Sequence, residues 1–283
     1  MKYTAKDIEV LEGLEAVRRR PGMYIGPVDT PIQLFREILD NSIDEAINGY
    51  GSKITVTLQD ENSVITVEDD GRGIPVDIHP VLKKPALEVI FTVLHAGGKF
   101  KEGAYVTAGG LHGVGASVVN ALSEFLEVEV KRDGASYKML FERGQVKSDL
   151  KKVGTAQSSG TRVTFKPDSD IFKNPRFNLA EIEEILRIKS YIHPGVTFEV
   201  SNKDTGERKI FHSEGGMKAL IEESLEEGHQ IIGSEVVHLR GDGEIKVEVA
   251  FAWTVDDGER YSAFVNGIHT KSGGSHLDAL KNG

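Results

Sequence analysis

The spacing of apolar residues changes several times along the chain, and each change predicts an element. From Leu34 to Ile47 the spacing is that of a helix. At about 100° per residue, Phe35, Ile38, Leu39, Ser42 and Ala46 share one side. Glu37, Asn41, Asp44 and Asn48 fall on the other side, at i, i+4, i+7 and i+11. Further helices are expected over Glu9–Arg19, which Pro21-Gly22 ends, and over Pro85–Leu94, Ala116–Leu122, Leu179–Ile192 and Lys218–Glu226. Alternation predicts strands at Lys53–Leu58 and Ser63–Val67, turning at Asp60-Glu61-Asn62. It recurs at Glu127–Lys131, Ser136–Glu142 and Thr161–Phe165. Val196–Ser201 with Glu207–His212 reads as a hairpin, and Gly243–Thr254 with Glu259–Val265 as two long strands. Helices followed by antiparallel strands predict an α+β sandwich of one sheet covered by helices.

A boundary is expected near Ser213-Glu214-Gly215-Gly216, with a first domain over 1–214 and a second over 215–283. One helix, two strands and a helix opening after Gly273-Gly274-Ser275 are too few elements to close a core. The second domain therefore reads as the opening part of a longer one.

With 283 residues, 39% hydrophobic and 28% charged, the chain has the composition of an ordinary soluble globular protein. No apolar run approaches the ~18 residues a membrane span needs, and Met1–Asp7 lacks the apolar core of a signal peptide. The absence of cysteine excludes disulfides and thiolate metal sites and fits the cytoplasm. A net charge of −10 argues against a primary nucleic-acid grip. The basic cluster Arg18-Arg19-Arg20 is more typical of a surface or of ion pairs than of a DNA contact.

Three stretches carry candidate chemistry. The stripe Glu37, Asn41, Asp44, Asn48 is either a solvated helix face or a site for a divalent cation and an activated water. A solvated face usually mixes in lysine, and this one holds acids and amides without a cation. Asp69-Asp70-Gly71-Arg72-Gly73-Ile74-Pro75 follows a strand, and a tight turn accounts for an Asp-Gly pair alone. Glycines also let backbone approach a flat ligand, and a carboxylate can accept from an exocyclic amine. Asp69 would do so for adenine, with Gly73 beneath the ring. Finally, Ala96–Gly115 holds seven glycines, and Gly109-Gly110-Leu111-His112-Gly113-Val114-Gly115 runs into a helix, where backbone N–H groups can bind an anion. This spacing matches neither the P-loop nor the dinucleotide fingerprint. Gly97-Gly98-Lys99 and Tyr105 lie in the same stretch and suit a lid. Ser159-Gly160-Thr161, taken alone, is a turn before a strand.

In this order the motifs resemble the GHKL ATPase superfamily, which includes gyrase B, MutL, the Hsp90 chaperones and sensor histidine kinases. The blocks Glu15–Gly26, Asp40–Ala46, Leu94–Phe100 and Gly109–Leu122 narrow the resemblance to the ATPase subunits of bacterial type II topoisomerases, of gyrase B or topoisomerase IV type. The resemblance implies a GHKL (Bergerat) sandwich with a mixed sheet, then a partial α+β transducer domain. It implies ATP and Mg²⁺ as ligands, with Glu37 as general base and Asn41 holding the metal. Asp44 would belong to the nucleotide site, Asp69 would bind the adenine amine, and Thr161 would assist through water. Arg72, Gly73, Ile74 and Pro75 would line the adenine and inhibitor pocket. Lys99, Tyr105 and the backbone of Gly110, Leu111, His112, Gly113, Val114 and Gly115 would hold the phosphates. Tyr3 and Ile8 would belong to an N-terminal arm, about residues 1–15, reaching over a partner's nucleotide. Arg132, with Asp69, Arg72 and Thr161, matches positions associated with inhibitor binding.

Relatives often carry Lys and Ser where this chain has Val106 and Ala108, and the Pro27–Gln33 loop is short. The family's transducer lysine would lie beyond Gly283, so this stretch is expected to bind ATP but hydrolyse it poorly. Expected partners are a second copy of the chain, a DNA-cleaving A-type subunit and DNA, with no membrane. The alternatives are a MutL-type clamp, a histidine-kinase catalytic domain, a non-catalytic nucleotide-binding regulator and a metal-only site. The Arg-Arg-Arg-Pro-Gly-Met-Tyr block speaks against the first, and the missing dimerisation helix against the second.

Overall fold

A computed structural model describes residues 4, 11–98, 113–226, 231–233, 235–255 and 258–282. Of the candidate site residues, Tyr3, Ile8, Lys99, Tyr105, Gly110, Leu111 and His112 lie outside the described residues. The helices are α1 (Gly13–Arg19), α2 (Gly22–Ile25), α3 (Ile32–Ile47), α4 (Ala86–Thr92), α5 (Gly115–Ala121), α6 (Leu179–Ile192), α7 (Gly216–Glu226) and α8 (Ser275–Asn282). The strands are β1 (Lys53–Gln59), β2 (Val64–Asp69), β3 (Ser123–Arg132), β4 (Ala135–Glu142), β5 (Gln145–Thr155), β6 (Gly160–Pro167), β7 (Thr197–Asn202) and β8 (Arg208–Phe211). After them come β9 (Val237–Asp242), β10 (Lys246–Phe251), β11 (Phe264–Val265) and β12 (Ile268–His269).

Eight strands form one sheet in the order β5-β4-β3-β6-β2-β1-β7-β8. Each pairing from β5 to β1 is antiparallel. Beside β1 the numbering of β7 rises in step. Thr57 Oγ1 meets Ser201 Oγ at 3.3 Å, and Lys203 N donates to Leu58 O at 2.9 Å. Those contacts run parallel, and the sheet is mixed, as the resemblance implied.

Alternation sorts the sheet into two faces. Ile54, Val56 and Leu58 of β1, Ile65 and Val67 of β2, and Leu126, Val128 and Val130 of β3 are buried. Phe35 and Leu39 of α3, Phe91 of α4, and Val118 and Val119 of α5 complete that core. The other face carries polar ladders. Thr66 pairs with Thr164 at 2.9 Å, Glu68 takes both Lys131 and Arg162, and Arg162 also reaches Glu129.

The chain divides into two units. The first holds the described residues up to 179 together with 200–208, and the second holds 180–199 together with the described residues from 209 on. Buried apolar residues of the second include Ile182, Leu186, Phe198, Leu220 and Leu277.

Several sequence expectations shift. Among the described residues the first helix begins at Gly13, where φ is +56°, with Leu11 and Glu12 outside it. Strand β5 is absent from the sequence pattern, because its half-buried side offers only Val146, Ser148 and Leu150. The expected long pair 243–254 and 259–265 is instead β9 with β10, in register from Val237↔Phe251 to Asp242↔Lys246. Of 259–265 only Phe264–Val265 is strand, paired with Ile268–His269. Two arginines of the basic cluster are ion-paired: Arg18 meets the buried Asp168 at 2.8 Å and also donates to Ala121 O at 2.7 Å, and Arg19 meets Glu15 at 3.2 Å.

Candidate functional site

The site forms where α3, the end of β2 and the start of β6 converge. Sequence alternation ends β2 at Val67, but the strand runs on to Asp69. Counting by twos from Ile65 and Val67 puts Asp69 on the buried face. An acid thus occupies the next position of an apolar stripe, only 9% exposed. Register places Glu68 opposite Arg162, so the antiparallel partner β6 brings Thr161 beside Asp69.

Asp69 Oδ1 accepts from Gly71 N at 3.0 Å and from Thr161 N at 3.2 Å, and Oδ2 accepts from Ser42 Oγ at 2.9 Å. Burial pushes its pKa up to about 6. These three hydrogen bonds oppose that rise, and the nearby Glu45 charge adds to it. Gly71 and Gly160 are required here. A Cβ at Gly71 would lie 2.9 Å from Glu45 Cβ, and one at Gly160, where φ is +150°, would overlap the Asp69 carbonyl oxygen.

The loop beyond Asp69 is held at three points. Glu45 grips Arg72 through Nε at 2.9 Å, Nη2 at 2.7 Å and the backbone N at 3.1 Å, and the Tyr50 ring lies 3.6 Å beneath the guanidinium. Arg132 Nη1 donates to Gly73 O at 2.7 Å. Ile74 N donates to Thr161 Oγ1 at 3.3 Å, and Pro75 is exposed. A Cβ at Gly73 would lie 2.7 Å from Lys131 O, and φ there is +76°. Arg132, a surface charge on sequence grounds alone, is therefore part of the loop's frame.

Glu37 and Asn41 lie half-buried on α3, and Asp44 is buried at 1% exposure. The polar stripe is thus not a solvated face. Gln33 Nε2 donates to Glu37 Oε1 at 3.0 Å, and a Cβ at Gly115 would overlap Glu37 Oε2. Gly115 opens α5 directly after Gly113 (φ +62°) and Val114. The structure thus brings Asp69, Arg72, Gly73, Ile74, Arg132 and Thr161 together at the end of β2 and seats Glu37 against Gly115 of the Gly113–Gly115 turn, with Asn41 and Asp44 further along α3 and Pro75 next in the loop. Sequence reasoning missed Glu45 as a clamp and Ser42 as a donor, although a serine inside an apolar stripe was a signal.

A family model described as "Histidine kinase-, DNA gyrase B-, and HSP90-like ATPase" matches residues 26–171, and one described as "DNA gyrase B" matches 216–283. The second match does not favour a MutL or histidine-kinase alternative. The chain is 46% identical to the type 2 topoisomerase B subunit of Aquifex aeolicus, covering 100% of this chain and 36% of that one. It is 48% identical to the DNA gyrase B protein of Thermus thermophilus (99% and 45%) and 46% to the DNA topoisomerase 4 B protein of Staphylococcus epidermidis (99% and 42%). It thus spans less than half the length of these relatives. The crystal structure of the 43K ATPase domain of Thermus thermophilus gyrase B in complex with an aminocoumarin is similar, with TM-score 0.81 and 42% identity over 95% of this chain and 70% of that one.

Proposed function

This chain belongs to the histidine kinase-, DNA gyrase B- and HSP90-like ATPases, and we propose that it binds ATP with Mg²⁺ and hydrolyses it as the nucleotide-operated part of a type II topoisomerase. The observation that carries this reading is the Glu37 carboxylate seated against Gly115, at the start of the helix that follows the glycine turn. Asp69 supplies the buried acceptor for the adenine amine, over the Gly71–Gly73 backbone. Glu37 orients the attacking water and takes its proton, and the Gly113–Gly115 backbone holds phosphate oxygens. Thr161 assists through water, and Arg72, Ile74 and Pro75 wall the base.

The donors present fit Mg²⁺. Asn41 offers an amide oxygen, and among the described residues no group of three or more His, Asp or Glu forms a cage. Phosphates and water would then complete the shell, the ordinary mode for this ion. A metal held there would supply charge neutralisation to the transferring phosphoryl group.

We further propose that residues 1–214 are the nucleotide domain, whose arm (Tyr3, Ile8) reaches a second copy of the chain, and that 215–283 begin the transducer domain. Lys99, Tyr105 and Gly110–His112 would hold the phosphates. The whole protein would work in the cytoplasm on DNA with a DNA-cleaving A-type subunit. An aminocoumarin would compete at Asp69, Arg72, Arg132 and Thr161.

The test is calorimetric titration with a non-hydrolysable ATP analogue, with and without Mg²⁺, on the wild type and Asp69→Asn. Metal-assisted binding that the substitution abolishes is expected. Equal binding by both proteins would contradict the pocket assignment.

A further inference from the structure

Ser42 lies on the core side of α3, 4% exposed, among Ile38, Leu39 and Ile43. Its hydroxyl donates to Asp69 across 27 residues of sequence. We infer that Ser42 is the positioning residue that makes this pocket select a purine bearing an exocyclic amine, by fixing which lone pair of Asp69 faces the ligand. The inference rests on the reading of Asp69 as the amine acceptor.

A carboxylate offers about four lone-pair directions. Gly71 N and Thr161 N use both of those on Oδ1, and Ser42 Oγ uses one on Oδ2. Among the described residues, one acceptor direction is left. The two backbone donors act on Oδ1, so without Ser42 rotation about Cβ–Cγ is opposed from one side of the carboxylate only, and the aim of Oδ2 loosens. With Ser42 in place, the group is held at both oxygens. An amine N–H meets the remaining lone pair, whereas a base without that amine leaves a buried acceptor unpaired. The charge of Glu45, on the same helix, acts on Asp69, but a carboxylate has no proton to donate to it.

The experiment compares binding of a non-hydrolysable ATP analogue with that of the matching purine riboside triphosphate, which lacks the 6-amine. The proteins are the wild type, Ser42→Ala, Ser42→Thr and Asp69→Asn, each with its thermal melt. The wild type should prefer the amine-bearing base by roughly tenfold or more. Ser42→Ala should weaken it severalfold and leave the deaminated analogue within about twofold, narrowing the preference, while Ser42→Thr keeps the hydroxyl and restores it. Equal weakening of both nucleotides by Ser42→Ala, or an unchanged preference, overturns the inference. If Asp69→Asn also retains the preference, the reading of Asp69 itself fails. If only Asp69→Asn abolishes it, the role of Ser42 alone fails.

Discussion

Glu45 and Arg72 form a two-pronged ion pair, at 2.9 Å to Nε and 2.7 Å to Nη2, and the same carboxylate also receives the Arg72 backbone N–H. One acid on α3 thus fixes both the side chain and the main chain of the loop that follows Asp69. Its charge also raises the Asp69 pKa.

Glu45→Gln should therefore have two effects. Losing one partner of a partly buried charged pair should destabilise the fold by about 1–3 kcal/mol in urea unfolding. Removing the neighbouring negative charge should also move the Asp69 titration below about 6, read as a lower acid limb for nucleotide affinity.

Gly115→Ala should place a methyl group where Glu37 Oε2 lies. Alanine is well tolerated in a helix, so the melting temperature should change little. Hydrolysis of bound ATP should fall about 10–100-fold, because a displacement near 1 Å at a catalytic group has that scale of effect. Single-turnover hydrolysis checks this, with analogue affinity measured in parallel.

Two aspartates should shape stability against pH in opposite senses. Burial raises Asp69 from its ordinary 3.8 to about 6, so the folded chain takes up this proton before the unfolded chain does. Its contribution to stability rises as pH falls from about 6 toward 3.8. Burial would also raise Asp168, but hydrogen bonds from Arg143 and Arg18 outweigh it and hold the group at about 2. That contribution is complete above 3.8 and is lost as pH falls toward 2. Unfolding midpoints from pH 8 to 2 for Asp69→Asn and Asp168→Asn, each against the wild type, should show the first term missing in one variant and the second in the other.

At pH 8 Asp69→Asn should raise stability by about 1–3 kcal/mol, since it removes a buried charge whose pKa is shifted upward by roughly two units. Its side-chain oxygen can still accept from Gly71 and Thr161, and its amide can donate to Ser42. Stability gained with nucleotide binding lost would mark Asp69 as a site maintained for function.

How much of this was legible in the sequence depends on the range of each signal. The long helix around Asn41 carries its own period of 3.6 and reads directly, as do β1 and most of β2. Asp69 falls beyond the strand in the sequence pattern because the apolar alternation ends at Val67, yet extending the count by one step turns it inward. Strand β5 exists through pairing with β4, and its own residues give little alternation. The Ser42–Asp69, Glu45–Arg72 and Arg18–Asp168 contacts join residues 27 to 150 apart. No local pattern encodes them, and only the sheet register and the seat of α3 bring them together.

The most direct test of the central claim is single-turnover hydrolysis of prebound ATP by the wild type and Glu37→Gln, with analogue affinity measured on both. Affinity should stay within a fewfold of wild type while the hydrolysis rate falls by about 10²–10⁴. Hydrolysis that survives Glu37→Gln at the wild-type rate would contradict the assignment of Glu37 as the base and, with it, the proposed chemistry of the site.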